Sequence, residues 1–237
     1  MPLPPLKDQF DALLRLPSIS CTQADLDQSN LPVVELLASW LSDLGFECRI
    51  LPIANQPGKA NLLASFGSGP GGLVMAGHTD TVPCNPERWQ HDPFALTEAN
   101  NRWYGLGSCD MKGFFPLIIE AVRSYLNQPF KHPLIILATA DEESSMSGAR
   151  ALVAADFSQA RHAIIGEPTG MRPIRLHKGI MMERIDIIGQ AGHSSDPGLG
   201  HNAMEAMHAV ISDLLQLRGS WQKRWSNPLF GVPTPTL

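Results

Sequence analysis

The 237-residue sequence has few of the features that mark secreted, membrane-spanning or nucleic-acid-binding proteins. Its four cysteines are scattered without a CxxC pair, which favours a reduced, cytoplasmic protein. The apolar runs, such as residues 134–138, are too short to span a bilayer, and residues 1–10 show no signal-peptide pattern. A net charge of −5 without a basic block argues against nucleic-acid binding. We therefore expect neither a membrane nor a nucleic acid as partner.

The spacing of apolar residues predicts an α/β fold. Hydrophobic residues make up 43% of the chain, enough for a folded core. Helices are predicted over residues 7–16, 31–44, 113–125 and 147–155, and strands over residues 47–53, 60–66, 72–76, 134–139 and 163–165. The alternation of strands and helices predicts a mixed, mostly parallel sheet with helices on both faces.

The pattern changes near residue 177. Residues 181–188 alternate as a strand would, and residues 202–217 have the spacing of an amphipathic helix. We therefore divide the chain into a first domain, residues 1–176, and the beginning of a smaller α+β domain, residues 177–237. One strand and one helix cannot bury a sheet of their own, so we expect this second domain to be incomplete.

Polar side chains of the kinds that bind metals follow three predicted strands, and another lies in a Gly-rich loop before a predicted helix. Ligands of open α/β sheets bind beyond the carboxyl ends of the strands, so we expect these side chains to converge. Imidazole and carboxylate groups together suit Zn²⁺, Mn²⁺ or Co²⁺. The residues are His78, Asp80, Asp110, Glu142, Glu143 and Glu167.

The chemistry of these residue types suggests roles, although each also has an ordinary structural interpretation. A carboxylate such as Asp110 can bridge two metals about 3.5–4 Å apart. Of the adjacent Glu142 and Glu143, one can bind a metal while the other takes a proton from water. Asp80 can orient the imidazole of His78. Equally, a histidine after a strand often packs in a core, paired glutamates often face solvent, and an aspartate in a Gly-rich loop often forms a turn.

Two further segments have alternative interpretations. Residues 67–72 match the spacing GxGxxG, but the dinucleotide fingerprint requires a helix next, whereas a strand is predicted here. We therefore predict a hairpin loop, with a nucleotide-binding α/β protein as the rival. His193 precedes the turn-forming residues 196–198, so it is either part of a turn or a functional residue.

Five motifs in order resemble the zinc aminoacylase and peptidase family. They are GHTDTVP (77–83), YGLGSCDMKG (104–113), ATADEESSMSGA (138–149), IIGEPT (164–169) and GQAGHSSDP (189–197). Within that family, the chain is most similar to the acetylornithine deacetylases. The resemblance covers essentially the whole sequence and implies hydrolysis of the acetyl amide of N2-acetyl-L-ornithine, a step of arginine biosynthesis.

The resemblance also implies a set of metal ligands. Two divalent ions, Zn or Co, are implied. His78, Asp110 and Glu167 would bind one ion, and Asp110 would bridge to a second ion that Glu143 binds.

Catalytic roles follow from the same resemblance. Glu142 would be the general base and acid, and Asp80 would orient His78. His193 would reach from the second, lid domain of a partner subunit in a homodimer and polarise the scissile carbonyl of an N-acyl amino acid.

The sequence departs from the family in its length. Family members continue beyond the lid domain and supply a last histidine to the second metal, and no residue here matches it. The resemblance therefore implies a chain truncated at its C-terminus, whose activity alone is absent or severely impaired. The alternatives are a related desuccinylase, aminoacylase or dipeptidase, and a non-catalytic metal-binding remnant.

Overall fold

The computed structural model of the protein describes residues 3–152, 157 and 159–237, which divide into two units, residues 1–171 and 172–237. The first unit contains four helices and seven strands among its described residues, and the second contains one long helix. In chain order they are α1 (Leu6–Leu14), α2 (Leu31–Asp43), β1 (Glu47–Pro52), β2 (Ala60–Phe66), β3 (Gly72–His78), β4 (Thr97–Ala99), β5 (Arg102–Tyr104), α3 (Phe114–Arg123), β6 (Leu134–Thr139), α4 (Ser147–Ala151), β7 (Ala160–Ile165) and α5 (Ala203–Arg224).

Five strands of the first unit form a mixed sheet in the order β1-β2-β6-β3-β7. β6 is parallel to β3 and β3 to β7, whereas β2 is antiparallel to both β1 and β6. The carboxyl ends of β3, β6 and β7 therefore meet at one edge of the sheet, and the amino end of β2 lies at that same edge. His78 pairs with Thr139 there, which places the last residues of β3 and β6 side by side.

The two faces of the sheet bury different residues, because successive side chains of a strand point to opposite faces. One face packs Leu62, Ile136 and Ala138 against apolar residues of α1, α2 and α3. The other buries a smaller cluster around Leu63 and Leu137, which Leu152 and Phe157 also contact. The buried core therefore holds β3 and β6 rigidly up to the edge where the polar residues begin.

The structure confirms the α/β class and the mixed sheet, and it corrects some details. The five-stranded sheet was predicted to be mostly parallel, and two of its four strand pairings are parallel. The predicted hairpin at residues 67–72 is wrong, because β6 lies between β2 and β3. A strand, not a helix, follows this loop, so nothing here supports the dinucleotide alternative. The hairpin of β4 and β5 was not predicted, and the predicted helix 147–155 ends at Ala151, with residues 153–156 outside the described part.

The second unit shows the predicted helix but not the predicted strand. α5 begins at Ala203, where the side chain of Asn202 accepts a hydrogen bond from the backbone N–H of Met204 at 2.9 Å. Residues 181–188 have no regular secondary structure, and apolar side chains such as Ile188 are exposed. A strand exists only when its backbone groups pair with a neighbour, and no described residue pairs with this segment. The boundary at residue 176 and the lid assignment stay predictions.

Among the helices of the described residues, none is both long enough and apolar enough to cross a bilayer.

Candidate metal centre

His78 is the centre of the polar cluster at the sheet edge. It is the last residue of β3, and its side chain is only 1% exposed. Its Nδ1 lies 3.0 Å from the backbone carbonyl oxygen of Asp80. Because a carbonyl can only accept, Nδ1 donates this hydrogen bond and the lone pair of the neutral ring lies on Nε2. That is the form in which histidine binds a metal, and Nε2 lies 3.0 Å from Asp110 Oδ1.

Three loops bring carboxylates to the same imidazole. Nε2 of His78 lies 4.0 Å from Glu142 Oε2 and 3.9 Å from Glu167 Oε1. Two groups of three residues have ligand atoms within 4.8 Å of one another, and both contain His78. They are His78 with Asp110 and Glu143, and His78 with Glu142 and Glu167. The four predicted metal ligands and the predicted base therefore lie in one cluster.

The grouping differs in one respect from the predicted roles. The resemblance assigns Glu167 to the ion held by His78 and Asp110, with Glu142 as the base. In the structure, Glu142 shares a ligand group with Glu167, while Glu143 is grouped with Asp110. Glu142 therefore lies close enough to serve either as a ligand or as a proton acceptor, and the two roles require an experiment to separate them.

Asp80 connects His78 to the loop that carries the two glutamates. Its side chain is fully buried, and Oδ2 accepts a hydrogen bond from the backbone N–H of Glu143 at 3.0 Å. Oδ1 lies 3.6 Å from Nδ1 of His78 and has no hydrogen-bond partner. The shorter contact to the ring is made by the backbone of Asp80. The predicted orienting residue thus lies against His78, and its carboxylate also holds Glu143.

The electrostatics of the cluster favour a cation. Burial raises the pKa of Asp80 and of Glu167. The pKa of Glu143 is raised by burial and by the negative charge of Asp110. Burial lowers the pKa of His78, but the surrounding carboxylates outweigh it and raise the pKa overall. Acidic groups that crowd in this way repel one another, and a divalent ion relieves that repulsion.

His193 lies in the second unit and is exposed. The backbone N–H of Ser195 donates to its Nδ1 at 3.2 Å, and the hydroxyl of Ser195 lies 2.7 Å from the same nitrogen. Because Nδ1 accepts from a backbone N–H, the neutral ring carries its proton on Nε2. His193 therefore presents an N–H donor.

The sequence profile of peptidase family M20/M25/M40 matches residues 74–221, more than half of the chain. The chain belongs to this family. The match begins inside β3 and includes the five residues of the two candidate ligand groups, which are His78, Asp110, Glu142, Glu143 and Glu167. The segment that matches the family therefore contains the whole observed cluster.

Close relatives of this M20 chain share a name. The chain is 50% identical over 235 residues to acetylornithine deacetylase from Photorhabdus laumondii. This alignment covers 99% of the chain and 61% of the relative. The chain is 52% identical over 235 residues to acetylornithine deacetylase from Salmonella arizonae, with the same coverages. The chain thus spans about three fifths of the length of these curated relatives.

Solved structures support the fold. Human carnosine dipeptidase 1 aligns with a TM-score of 0.59 at 23% identity, over 67% of this chain and 38% of that one. An M20 family metallo-carboxypeptidase from Sulfolobus solfataricus aligns with a TM-score of 0.54 at 20% identity, over 69% and 37%.

Sequence reasoning missed several buried residues that support the M20 site. Lys59 and Asn61 lie at the amino end of β2, and both contact the loop after β6. Asp141 was noticed in its motif but given no role, and it forms a buried ion pair with Lys59 at 2.7 Å. In the sequence, only the polar Lys59 and Asn61 at the start of a predicted strand could have indicated such a supporting role. The order of the strands is needed to see that this start lies beside the end of β6.

Lys112 is a second missed residue, two positions after Asp110. Its side chain is 1% exposed, and Nζ donates to the backbone carbonyls of Leu13 and Leu16, at 3.1 Å each. Burial lowers the pKa of Lys112 to about 8. The lysine therefore links the Asp110 loop to the end of α1. Both of these acceptors are neutral, so they do not offset the cost of burying the charged ammonium group.

This burial predicts a pH dependence of stability. The folded pKa lies below the unfolded one, so the unfolded state binds more protons between about pH 8 and 10.5, and stability rises with pH in that window. From pH 7 to 9.5, the free energy of unfolding of the wild type should rise by about 2 kcal/mol relative to Lys112→Met. Urea unfolding at both pH values measures this rise. The exposed variant Lys131→Met should keep it, and identical pH slopes for wild type and Lys112→Met would contradict it.

Proposed function

We propose that this chain forms the metal-binding part of an amide hydrolase that converts N2-acetyl-L-ornithine to ornithine and acetate in arginine biosynthesis. The observation that carries the proposal is the convergence of the carboxylates of Asp110, Glu142 and Glu167 on Nε2 of His78. The name shared by the relatives supports the substrate. The cytoplasm as location and a homodimer as assembly belong to the same proposal.

Two divalent ions, zinc or cobalt, fit the donor set. His78, Asp110 and Glu167 would hold one ion, and Asp110 and Glu143 the other. The buried ring, whose tautomer Asp80 sets, and the partly exposed carboxylates are the ligand types these ions prefer. When bound, such ions lower the pKa of water and polarise an amide carbonyl.

Glu142 performs the proton transfer in this proposal. Its carboxylate lies 4.0 Å from His78 Nε2, and its side chain is 37% exposed, so both water and substrate can reach it. It accepts the proton of the attacking water and passes it to the nitrogen of the leaving amine.

His193 stabilises the developing oxyanion in this proposal. The hydrogen bond from Ser195 leaves Nε2 as the donor atom, which suits a carbonyl oxygen that gains negative charge. Delivery of His193 by a partner subunit is the part of the proposal that rests on the family resemblance.

The test compares the chain alone with a chimera in which it replaces the aligned 235 residues of the Salmonella arizonae relative. With Zn²⁺ or Co²⁺ added, we expect the chimera to release ornithine from N2-acetyl-L-ornithine and the chain alone to do so far more slowly. Each ligand group of the described residues contains only one histidine, His78, which is the physical reason for expecting the weaker activity.

The other outcomes identify the alternatives. A folded chimera that hydrolyses N-succinyl amino acids or dipeptides faster than acetylornithine would favour a related desuccinylase or dipeptidase. A chimera that binds the metal without hydrolysing any of these substrates would favour a non-catalytic remnant. Rapid turnover by the chain alone would show that the described ligands suffice.

A further inference from the structure

A buried ion pair lies behind the loop that carries Glu142 and Glu143. Asp141 follows Ala140, the first residue after β6, and has a left-handed backbone, with φ of 55°. Its carboxylate is buried. Oδ1 contacts Lys59 Nζ at 2.7 Å and accepts from Ser20 Oγ at 3.1 Å, and Oδ2 accepts from Ser147 Oγ at 2.6 Å.

Lys59 links this carboxylate to a different part of the chain. Its side chain is 5% exposed, and Nζ also contacts Asp27 Oδ1 at 2.8 Å. Burial lowers the pKa of Lys59, but the hydrogen bonds that its ammonium group donates to Asp141 and Asp27 outweigh this effect and raise the pKa overall. The ammonium group is therefore charged at neutral pH and is shared by two carboxylates.

The rest of the loop is held from the same strand. The side chain of Asn61 accepts from the backbone N–H of Ala140 at 3.1 Å and donates to the carbonyl of Gly148 at 2.8 Å. These bonds fix the two ends of the loop, and the Lys59 contact fixes its first turn. On the other side, Asp80 accepts from the N–H of Glu143. The loop is thus held between β2 and the segment after β3.

We propose that Lys59 and Asp141 form a positioning pair, which sets the direction of the turn so that Glu142 and Glu143 face His78. Neither member of the pair belongs to either metal-type group. Glu142 and Glu143 directly follow Asp141 in the sequence, so a rotation of the backbone at Asp141 moves both glutamates together. The ligand atoms of each group lie within 4.8 Å of one another, and such a rotation would move the glutamate oxygens relative to His78. The inference rests on the proposed metal function.

Its test separates positioning from stability. Lys59→Met alone leaves the charge of Asp141 buried and unpaired, which destabilises the fold. The double variant Lys59→Met with Asp141→Asn removes both charges and should recover much of the stability in urea unfolding. The readout is Co²⁺ binding, followed by the visible absorption spectrum of the bound ion in the 237-residue chain.

We expect the double variant to bind Co²⁺ about tenfold or more weakly than wild type, with a changed spectrum, because supporting partners of metal ligands have effects of this size. The single variant Lys59→Arg should retain most of the wild-type affinity for Co²⁺, since it keeps the positive charge. Lys7→Met is the matched control, because it removes a lysine paired with Glu98 at the exposed surface, and it should bind as wild type does.

A second variant covers failure of the double variant to fold. Ser147→Ala removes one hydrogen bond to Asp141 without leaving an unpaired charge, and it should weaken Co²⁺ binding several-fold. Wild-type affinity and spectrum in the folded double variant, or in Ser147→Ala if only that variant folds, would overturn the positioning role. A folded wild-type chain that binds no Co²⁺ would instead overturn the proposed function on which this inference rests.

Discussion

The His78→Ala variant should lose Co²⁺ and Zn²⁺ binding by more than about 100-fold. Loss of a group that only supports a ligand already costs about 10–100-fold, and His78 is the one residue common to both ligand groups. The remaining carboxylates belong to separate loops, and no other histidine of the described residues lies in either group. Isothermal titration of the metal-free chain measures the affinity directly.

The matched control for this variant is His162→Ala. His162 lies in β7 of the same sheet, but its side chain is exposed and takes no part in either ligand group. It should bind Co²⁺ as wild type does. Urea unfolding of the metal-free His78→Ala variant shows whether the loss is local, and a folded variant that retains wild-type affinity would show that the metal lies elsewhere.

The Glu142→Gln variant of the chimera should lose about 10²–10⁴-fold in kcat for acetylornithine, since a positioned general base contributes that much. Glutamine has nearly the same shape but cannot accept the proton. Steady-state kinetics give kcat, and Co²⁺ titration of the same sample gives the metal affinity. If Glu142 is a base and not a ligand, its substitution lowers kcat and leaves the metal affinity unchanged.

This pair of measurements also decides between the two roles that the structure leaves to Glu142. If Glu142 is a ligand, as its grouping with Glu167 allows, Glu142→Gln will lower the metal affinity as well. Glu143→Gln serves as the comparison, because it should weaken metal binding in either case. Glu120→Gln, on the surface of α3 beside Arg123, should change neither quantity. A Glu142→Gln variant with wild-type kcat would remove Glu142 from the mechanism.

The local sequence was sufficient to predict much of the sheet and of the cluster. β2 and β6 are mostly buried and rich in apolar residues, and their bounds were predicted correctly at both ends. His78 ends β3, and Glu142 and Glu167 lie shortly after β6 and β7 in the sequence. Parallel strands place their carboxyl ends together. His78, Glu142 and Glu167 could therefore be predicted as neighbours.

Long-range packing decided the rest. That β6 lies between β2 and β3 depends on pairings between segments about 70 residues apart, which no local pattern encodes. Lys59 and Asp141 meet only because of that order, and the burial of Lys112 depends on the end of α1. Residues 181–188 show the converse: their alternation suits a strand, but a strand needs a partner, and pairing is a property of the tertiary structure.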